Sequence, residues 1–261
     1  MAGSLGPDFV GVGCQKCGST WLSYVLEQHP GVLIRQKETG FYTRYFHKGY
    51  RWYHAFFADK NGRIAGEITP DYFISPRPDP SHKEFYPKWN PRLSFIFWHP
   101  RRPPARDELF RHYPDVRVFA IFRNPIDRAW SHYWFWREKK KRLNKRVVPF
   151  EEMFRDDGRW ILTQGKYTDY LASWRECFPD MGVFFFDDLL SDPLGLAQSL
   201  YRFVGVDDTF VPSLTENMMK GTYKPMPREV WALLVDAYRD EIVRFANATG
   251  RDLSHWLEAR D

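Results

Sequence analysis

The chain has 261 residues, of which 43% are hydrophobic and 27% charged, a composition that fits one globular domain and excludes a disordered chain. The net charge of +5 favours anionic ligands without requiring nucleic acid. Three cysteines are too few for a disulfide framework, and no apolar run is long enough to span a membrane, so we expect a cytoplasmic protein.

Short apolar runs alternate along the chain with segments of helical periodicity. The apolar runs that predict strands are 9–13, 32–34, 64–68, 116–122 and 183–186. Helices are predicted after Gly18, from Pro125, and over 167–177, 194–204 and 228–248. Strands that alternate with helices predict a central parallel sheet with helices on both faces. We expect a single domain over residues 1–261, with a proline- and aromatic-rich excursion at about 76–104.

A glycine-containing loop follows the first predicted strand, with the sequence Gly13-Cys14-Gln15-Lys16-Cys17-Gly18-Ser19-Thr20. Its glycines and Thr20 match the nucleotide-binding pattern GxxxxGK[ST], but Ser19 stands where that pattern has lysine. Backbone N–H groups of such a loop and the N-terminus of the next helix can hold a phosphate, with Ser19 and Thr20 adding hydroxyl donors. The displaced lysine, Lys16, is placed to reach a group transferred beside that phosphate.

A second anion site is predicted where the strand at 116–122 ends. Arg123 lies at the carboxyl end of this strand, where ligands of open α/β sheets bind. Ser131 comes about two helical turns later. A guanidinium and a hydroxyl that converge there can hold a phosphate monoester. The alternative is a structural salt bridge between Arg123 and Asp127.

The lysine-shifted loop resembles the 5′-phosphosulfate loop of sulfotransferases that use 3′-phosphoadenosine 5′-phosphosulfate (PAPS), in particular the heparan-sulfate-type and bacterial branch. Further segments are similar to motifs of that branch and come in the family order. They are Lys37-Glu38-Thr39-Gly40-Phe41, the segment 66–72, the segment 122–133, the segment 165–171 and Lys220-Gly221-Thr222. The resemblance implies a three-layer P-loop-like α/β fold and transfer of a sulfuryl group from PAPS to a hydroxyl or amine, with release of 3′,5′-ADP.

The resemblance also implies a role for individual residues. Lys16 would stabilise the leaving phosphate, and Glu38 would be the base that takes the acceptor proton. The residues implied in nucleotide binding are Lys16, Cys17, Gly18, Ser19, Thr20, Arg123, Ser131, Lys220, Gly221 and Thr222. Candidates for the acceptor side are Glu67, Asp71 and Tyr167. Ile68 stands where the branch often has a lysine, so a second catalytic cation is missing from that position. No metal is required, because positioning and charge stabilisation dominate this kind of transfer.

Several alternatives stay open at the level of sequence. A P-loop kinase that uses Mg-ATP would need Asp187 as its metal-binding acid, and a non-catalytic nucleotide binder would need no base. The alternative interpretation of Glu38 is an exposed acid paired with Lys37 or Arg35, and histidine serves as the base in other sulfotransferases. The histidines that could take this role are His47, His54, His99 and His132.

The acceptor is not defined by the sequence. A small molecule, a carbohydrate, a lipid or a polyketide all fit the abundance of aromatic residues, and the excursion at 76–104 is either packed surface or one wall of an acceptor pocket. The basic run at 137–146 is typical of a solvated helix end, although it would also attract an anionic acceptor. The pair Cys14 and Cys17 has no second pair that would complete a zinc site.

Overall fold

The computed structural model describes residues 5–74, 104–156, 159–214 and 223–258. Most of the excursion expected at about 76–104 lies outside these residues. The same holds for His99 and for the predicted nucleotide-binding residues Lys220, Gly221 and Thr222.

Five parallel strands form the central sheet, in the order β2-β3-β1-β4-β5. They are β1 (Phe9–Gly13), β2 (Val32–Leu33), β3 (Ile64–Ile68), β4 (Arg117–Phe122) and β5 (Gly182–Phe185). All five predicted strands are therefore present, and the parallel arrangement is confirmed. The last strand ends one residue early because Phe186 already begins a helix.

Ten α-helices are described around the sheet. They are α1 (Ser19–Gln28), α2 (Gly49–His54), α3 (Ala105–His112), α4 (Pro125–Arg142), α5 (Phe150–Asp156), α6 (Arg159–Thr163), α7 (Tyr167–Cys177), α8 (Phe186–Ser191), α9 (Pro193–Val204) and α10 (Arg228–Thr249). A π-helical turn at Phe41–Tyr45 and 3₁₀ turns at Phe46–Lys48, Pro70–Tyr72 and Ser254–Leu257 complete the described elements. None of the described helices is both long and apolar enough to cross a membrane.

The strand order places a crevice at the carboxyl end of β1. From β1 the chain runs to β2 and β3 on one side of the sheet, and then crosses β1 to form β4 and β5 on the other. Such a switch point in a parallel sheet opens a crevice between the loops that leave the two central strands. Here these loops are the phosphate loop after β1 and the segment that carries Arg123 after β4, so both predicted anion sites lie at one place.

Helix α4 has a well-defined start beside this crevice. The side chain of Asn124 accepts a 3.0 Å hydrogen bond from the backbone N–H of Ile126, and Pro125 occupies the first helical position, where its missing N–H costs nothing. The cap fixes the direction in which the helix leaves the sheet. Ser131 is therefore carried along the same crevice that Arg123 enters.

Candidate functional site

A cavity of about 640 Å³ lies at the carboxyl ends of β1 and β4. We call it the catalytic cavity. The predicted site residues in its wall are Lys16, Gly18, Ser19, Thr20, Glu38, Asp71, Arg123 and Ser131. The structure therefore brings together residues from four separate sequence motifs.

The phosphate loop leaves the N-terminus of α1 open to a ligand. Gly18 is the N-cap residue, has φ of +102°, and has no side chain that could accept from the first N–H groups of the helix. A Cβ at this position would lie 3.0 Å from the ring of Phe186, so both the backbone conformation and the space require glycine. The loop therefore fits an anion that would accept from these N–H groups, as a phosphate does.

Lys16 is half-buried among other cations. Its Nζ lies 4.7 Å from the centre of the Phe135 ring, a contact that holds an ammonium group over an aromatic face. Burial lowers the pKa of Lys16, and the charges of Arg123 and Lys37 lower it further. A cluster of like charges in a partly dry wall is stabilised when an anion enters the cavity.

Arg123 is held in place but keeps an unused donor. Its Nη2 donates to the hydroxyl of Tyr223 at 3.2 Å, and its guanidinium lies 4.6 Å from the centre of the Phe186 ring. Its buried Nε has no hydrogen-bond partner among the residues that the structure describes. Buried donors are almost always paired in native proteins. The unpaired Nε, with Ser131 in the same wall, therefore fits a phosphate of the nucleotide.

Lys37 connects the phosphate loop to Glu38. Its Nζ donates to Thr20 Oγ1 at 3.1 Å and to Glu38 Oε1 at 2.9 Å, and all three residues line the catalytic cavity. From the sequence alone, Lys37 is expected only as a surface partner of Glu38. Its position beside Glu38 in the motif is the one local feature that indicates a role in the site. Arg35, the other proposed partner of Glu38, pairs with Asp59 instead.

Position 68, where a lysine is absent, lies in the core of the sheet, and Lys37 supplies a cation to the cavity instead. Ile68 is fully buried in β3, and a Cβ at Gly11 of β1 would lie only 2.9 Å from its side chain. A lysine in this packing would have to leave the core to reach the cavity. Lys37 provides a second cation from the neighbouring segment. The catalytic cavity therefore contains a second positive charge, although position 68 has no lysine.

Three of the predicted site residues that the structure describes do not reach the cavity. Glu67 is fully buried, and its carboxylate accepts hydrogen bonds from Thr39, Thr69, Tyr53 and Tyr72. Burial raises the pKa of Glu67. Glu67 therefore anchors the segment that carries Glu38, because it accepts hydrogen bonds from Thr39, the residue directly after Glu38. A direct contact of Glu67 with an acceptor is not compatible with its burial.

Cys17 and Tyr167 lie behind the cavity wall. Both side chains are fully buried, with the Cys17 sulfur 3.8 Å from the Tyr167 hydroxyl. The same hydroxyl donates to the backbone oxygen of Arg123 at 2.9 Å. Tyr167 therefore supports Arg123 from behind and does not itself line the cavity. Asp71, by contrast, does line the cavity, where its carboxylate accepts from Arg44 and Gln15.

The histidine alternatives differ in their placement. His47 is exposed, and His54 is hydrogen-bonded to Tyr113 outside the catalytic cavity. His132 lies in the cavity wall, and burial lowers its pKa well below 6.5, so that the ring is neutral at pH 7. Because Arg128 can only donate, its 3.2 Å contact makes His132 Nδ1 an acceptor and leaves the proton on Nε2. In this tautomer Nδ1 of His132 is engaged by Arg128 and is not a free base.

The kinase alternative finds no support in the site. Asp187, its proposed metal-binding acid, is outside the cavity wall and accepts a 2.7 Å hydrogen bond from Trp256 Nε1. Within the described part of the chain, no group of three or more histidine, cysteine or acidic side chains is arranged to hold a metal ion.

Comparison with known proteins identifies the family to which the chain belongs. A family model described as the sulfotransferase domain matches residues 6–242. Human heparan sulfate glucosamine 3-O-sulfotransferase 6 is 27% identical over 276 residues, which cover 94% of this chain and 72% of that protein. Mouse bifunctional heparan sulfate N-deacetylase/N-sulfotransferase 3 is 23% identical over 96% of this chain, which spans only 31% of the mouse protein.

The fold agrees with a solved structure as well. A crystal structure of a sulfotransferase from Alicyclobacillus acidocaldarius superimposes with a TM-score of 0.70 and 21% identity, over 97% of this chain and 99% of that chain. This likeness confirms the P-loop-like α/β fold. Since the family model extends over most of the sequence, the chain belongs to the sulfotransferase domain family, whose members are PAPS-dependent sulfotransferases.

Proposed function

We propose that the protein transfers the sulfuryl group of PAPS to a hydroxyl or amine of an anionic carbohydrate, with Glu38 as the base. The observation that carries this proposal is the position of Lys37, whose Nζ contacts both Thr20 of the phosphate loop and the Glu38 carboxylate. Through this contact, the base lies directly beside the loop that would hold the 5′-phosphosulfate. A nucleotide-binding protein without catalytic function has no need for a base there.

The chain's residues divide into those that bind the nucleotide and those that act on the transferred group. The N-terminus of α1, Ser19 and Thr20 would hold the 5′-phosphate, and Arg123 with Ser131 would hold the 3′-phosphate. PAPS supplies the sulfuryl group when it is bound. Lys16 neutralises the negative charge that grows on the 5′-phosphate oxygen as the sulfur–oxygen bond breaks.

Glu38 accepts the proton of the acceptor hydroxyl as the new sulfur–oxygen bond forms. Lys37 holds the Glu38 carboxylate in position and keeps positive charge next to the sulfuryl oxygens. Each of these groups acts on charge or on a proton, and the transfer needs no covalent intermediate with the enzyme.

The cavity wall favours an anionic, ring-containing acceptor. Arg44, Lys37 and Lys139 add positive charge around the cavity, and Trp136 adds a large aromatic face. Cations bind carboxylate and sulfate groups, and an aromatic face can stack on a sugar ring. The names of the relatives refer to heparan sulfate, which supports an anionic carbohydrate over a lipid or polyketide.

The test is an acceptor screen with labelled PAPS, read by mass spectrometry, with wild type and Glu38→Gln. We expect sulfated products from uronic-acid-containing oligosaccharides, and a fall of about 10²–10⁴-fold in kcat for Glu38→Gln. The variant should still bind 3′,5′-ADP, and Glu138→Gln on the exposed part of α4 is the matched control. Full activity of Glu38→Gln would exclude Glu38 as the base. Binding of 3′,5′-ADP without turnover on any acceptor would instead support a non-catalytic binder.

A further inference from the structure

Helix α4 borders a second cavity on the side away from the catalytic cavity. The residues of α4 that line the catalytic cavity are Ser131, His132, Phe135, Trp136 and Lys139. Those that line the second cavity, of about 380 Å³, are Trp130, Tyr133, Trp134 and Arg137. At 3.6 residues per turn, the two sets point in directions about 180° apart. We call the second space the aromatic cavity; no step of the transfer uses it.

Two residues in the wall of the aromatic cavity carry unpaired donors. Trp134 Nε1 and Arg137 Nε are both buried, and neither has a hydrogen-bond partner in the described part of the chain. The two residues lie one helical turn apart, with the guanidinium 4.9 Å from the centre of the indole ring. Because buried N–H groups are almost always paired, two unpaired donors in one cavity indicate a ligand that carries oxygen acceptors.

The remaining wall defines the shape and charge of that ligand. Trp130 and Tyr133 are stacked with their ring centres 5.4 Å apart, and Phe150 meets both of them edge-on. The carboxylate of Glu151 stands in the same wall and can accept hydrogen bonds. The hydroxyl of Tyr133 donates to the backbone oxygen of Val148 at 2.9 Å, which ties the segment before α5 to α4. The cavity is thus formed before a ligand arrives.

These features favour a sugar ring over other ligands. A pyranose has an apolar face that can lie against the half-buried Trp134 indole, oxygens for the two donors and hydroxyl groups for Glu151. An aryl carboxylate would place its charge in a wall that already contains Glu151, and a purely apolar molecule would leave both donors unpaired. A polyhydroxylated ring uses the donors, the acceptor and the aromatic surface together.

We propose that the aromatic cavity is a second carbohydrate-binding site, which holds a sugar unit of the acceptor away from the reacting one. The proposal rests on the proposed function for the identity of the acceptor. A second site of this kind increases the affinity for long acceptors, because both sites are occupied by one chain. It leaves kcat unchanged, because it does not touch the reacting groups.

The experiment compares Trp134→Phe and Arg137→Gln with wild type, each loaded with 3′,5′-ADP. Trp134→Phe keeps an aromatic ring and removes the donor, and Trp231→Phe on α10 is the matched control. Binding of uronic-acid-containing disaccharides and octasaccharides is measured by calorimetry, and the Trp134 indole N–H is followed by NMR. We expect about tenfold weaker octasaccharide binding in both variants. Disaccharide binding at the catalytic cavity should be unchanged. In wild type, the Trp134 indole resonance should shift when sugar is added and not otherwise.

The outcomes separate this proposal from the proposed function. If octasaccharides are sulfated with the same KM by wild type and both variants, and the indole resonance does not move, the second site is wrong while the function stands. If no carbohydrate is sulfated but sugars still shift the indole resonance, the site stands and the acceptor assignment fails. Tighter binding of an aryl carboxylate than of any sugar at Trp134 would also overturn the proposal.

Discussion

The hydroxyl of Tyr223 accepts a 3.2 Å hydrogen bond from Nη2 of Arg123, while the hydroxyl of Tyr167 donates to the backbone oxygen of the same arginine at 2.9 Å. Arg123 is therefore fixed both at its backbone and at its guanidinium. Its buried Nε has no hydrogen-bond partner among the described residues. This arrangement holds the guanidinium in one orientation before the nucleotide binds, which reduces the conformational entropy lost on binding.

This orientation predicts a loss of nucleotide selectivity in two variants. Arg123→Ala should lower the affinity for 3′,5′-ADP by about 10–100-fold, because a hydrogen bond to a charged group contributes about 1.5–3 kcal/mol. Tyr223→Phe should lower it less, by about threefold, because the arginine remains but is less firmly held. Calorimetry with 3′,5′-ADP and 5′-AMP checks this, with Arg35→Ala as the control. Equal losses of affinity for both nucleotides would show that Arg123 does not bind the 3′-phosphate.

We expect Lys16 to affect kcat more than it affects the binding of the nucleotide. Replacing it with alanine removes the charge that stabilises the leaving phosphate, so we expect kcat to fall by about 10²–10³-fold, as for the loss of one charge-stabilising donor. Steady-state kinetics with a saturating acceptor provides the measurement. Lys48→Ala is the matched control, since Lys48 lies over the rings of Tyr45 and Trp52, which do not line the catalytic cavity. A normal kcat in Lys16→Ala would remove this lysine from the mechanism.

Lys37 should matter through its charge and its contact with Glu38. Lys37→Met keeps an unbranched apolar side chain without the charge, and we expect kcat to fall by roughly tenfold or more. Lys37→Arg should recover part of the rate, because it restores a cation near Thr20 and Glu38. Arg35→Ala, two residues away and paired with Asp59, is the control. If Lys37→Met changed only the KM for the acceptor, Lys37 would be a binding residue and not a positioning one.

The buried His132 predicts a dependence of stability on pH. Its folded-state pKa is lowered below the unfolded value of 6.5, first by burial and then by the charges of Arg128 and Lys16. The unfolded chain therefore binds the proton more readily. Stability from this residue is fully present above pH 6.5 and is lost as the pH falls from there towards the folded-state pKa, by up to about 1.4 kcal/mol per pH unit.

Urea unfolding at pH 7.0 and 5.5 tests this sign. The free energy of unfolding should fall more between these values for wild type than for His132→Gln, which cannot titrate in this range. The difference between the two proteins removes the contribution of other groups, such as Glu67. Identical pH dependence of both proteins would mean that His132 is not a buried neutral histidine.

Glu67 should determine stability and not the chemical step. Glu67→Ala leaves the buried donors of Thr39, Thr69, Tyr53 and Tyr72 without their acceptor, so we expect a loss of about 3 kcal/mol or more. Urea unfolding measures the loss. Glu67→Gln keeps an acceptor oxygen, and below its melting temperature it should retain the wild-type kcat. A strong fall in kcat with unchanged stability would instead indicate that Glu67 contacts the acceptor.

Local sequence was enough to predict the main elements of the fold. The runs at 9–13 and 64–68 match β1 and β3. Each is a short, mostly apolar run, as expected for a buried strand, and each is flanked by residues that favour turns. The periodicity at 167–177 likewise predicted α7 correctly. The catalytic cavity was partly predictable, since residues at the ends of parallel strands meet at one edge of the sheet. The roles of Lys37 and Tyr223 were missed, because nothing local distinguishes a cation or ring in a site from one on the surface.

The sequence by itself determined the family, the parallel sheet and the order of the anion-binding segments, because these depend on spacing and hydrophobic pattern along the chain. Only the tertiary structure decided which side chains reach the cavity. Glu67 and Asp71 are four residues apart, yet one is buried under four donors and the other lines the catalytic cavity. Burial depends on what packs against each side chain from distant segments, and this information is not present in the local pattern.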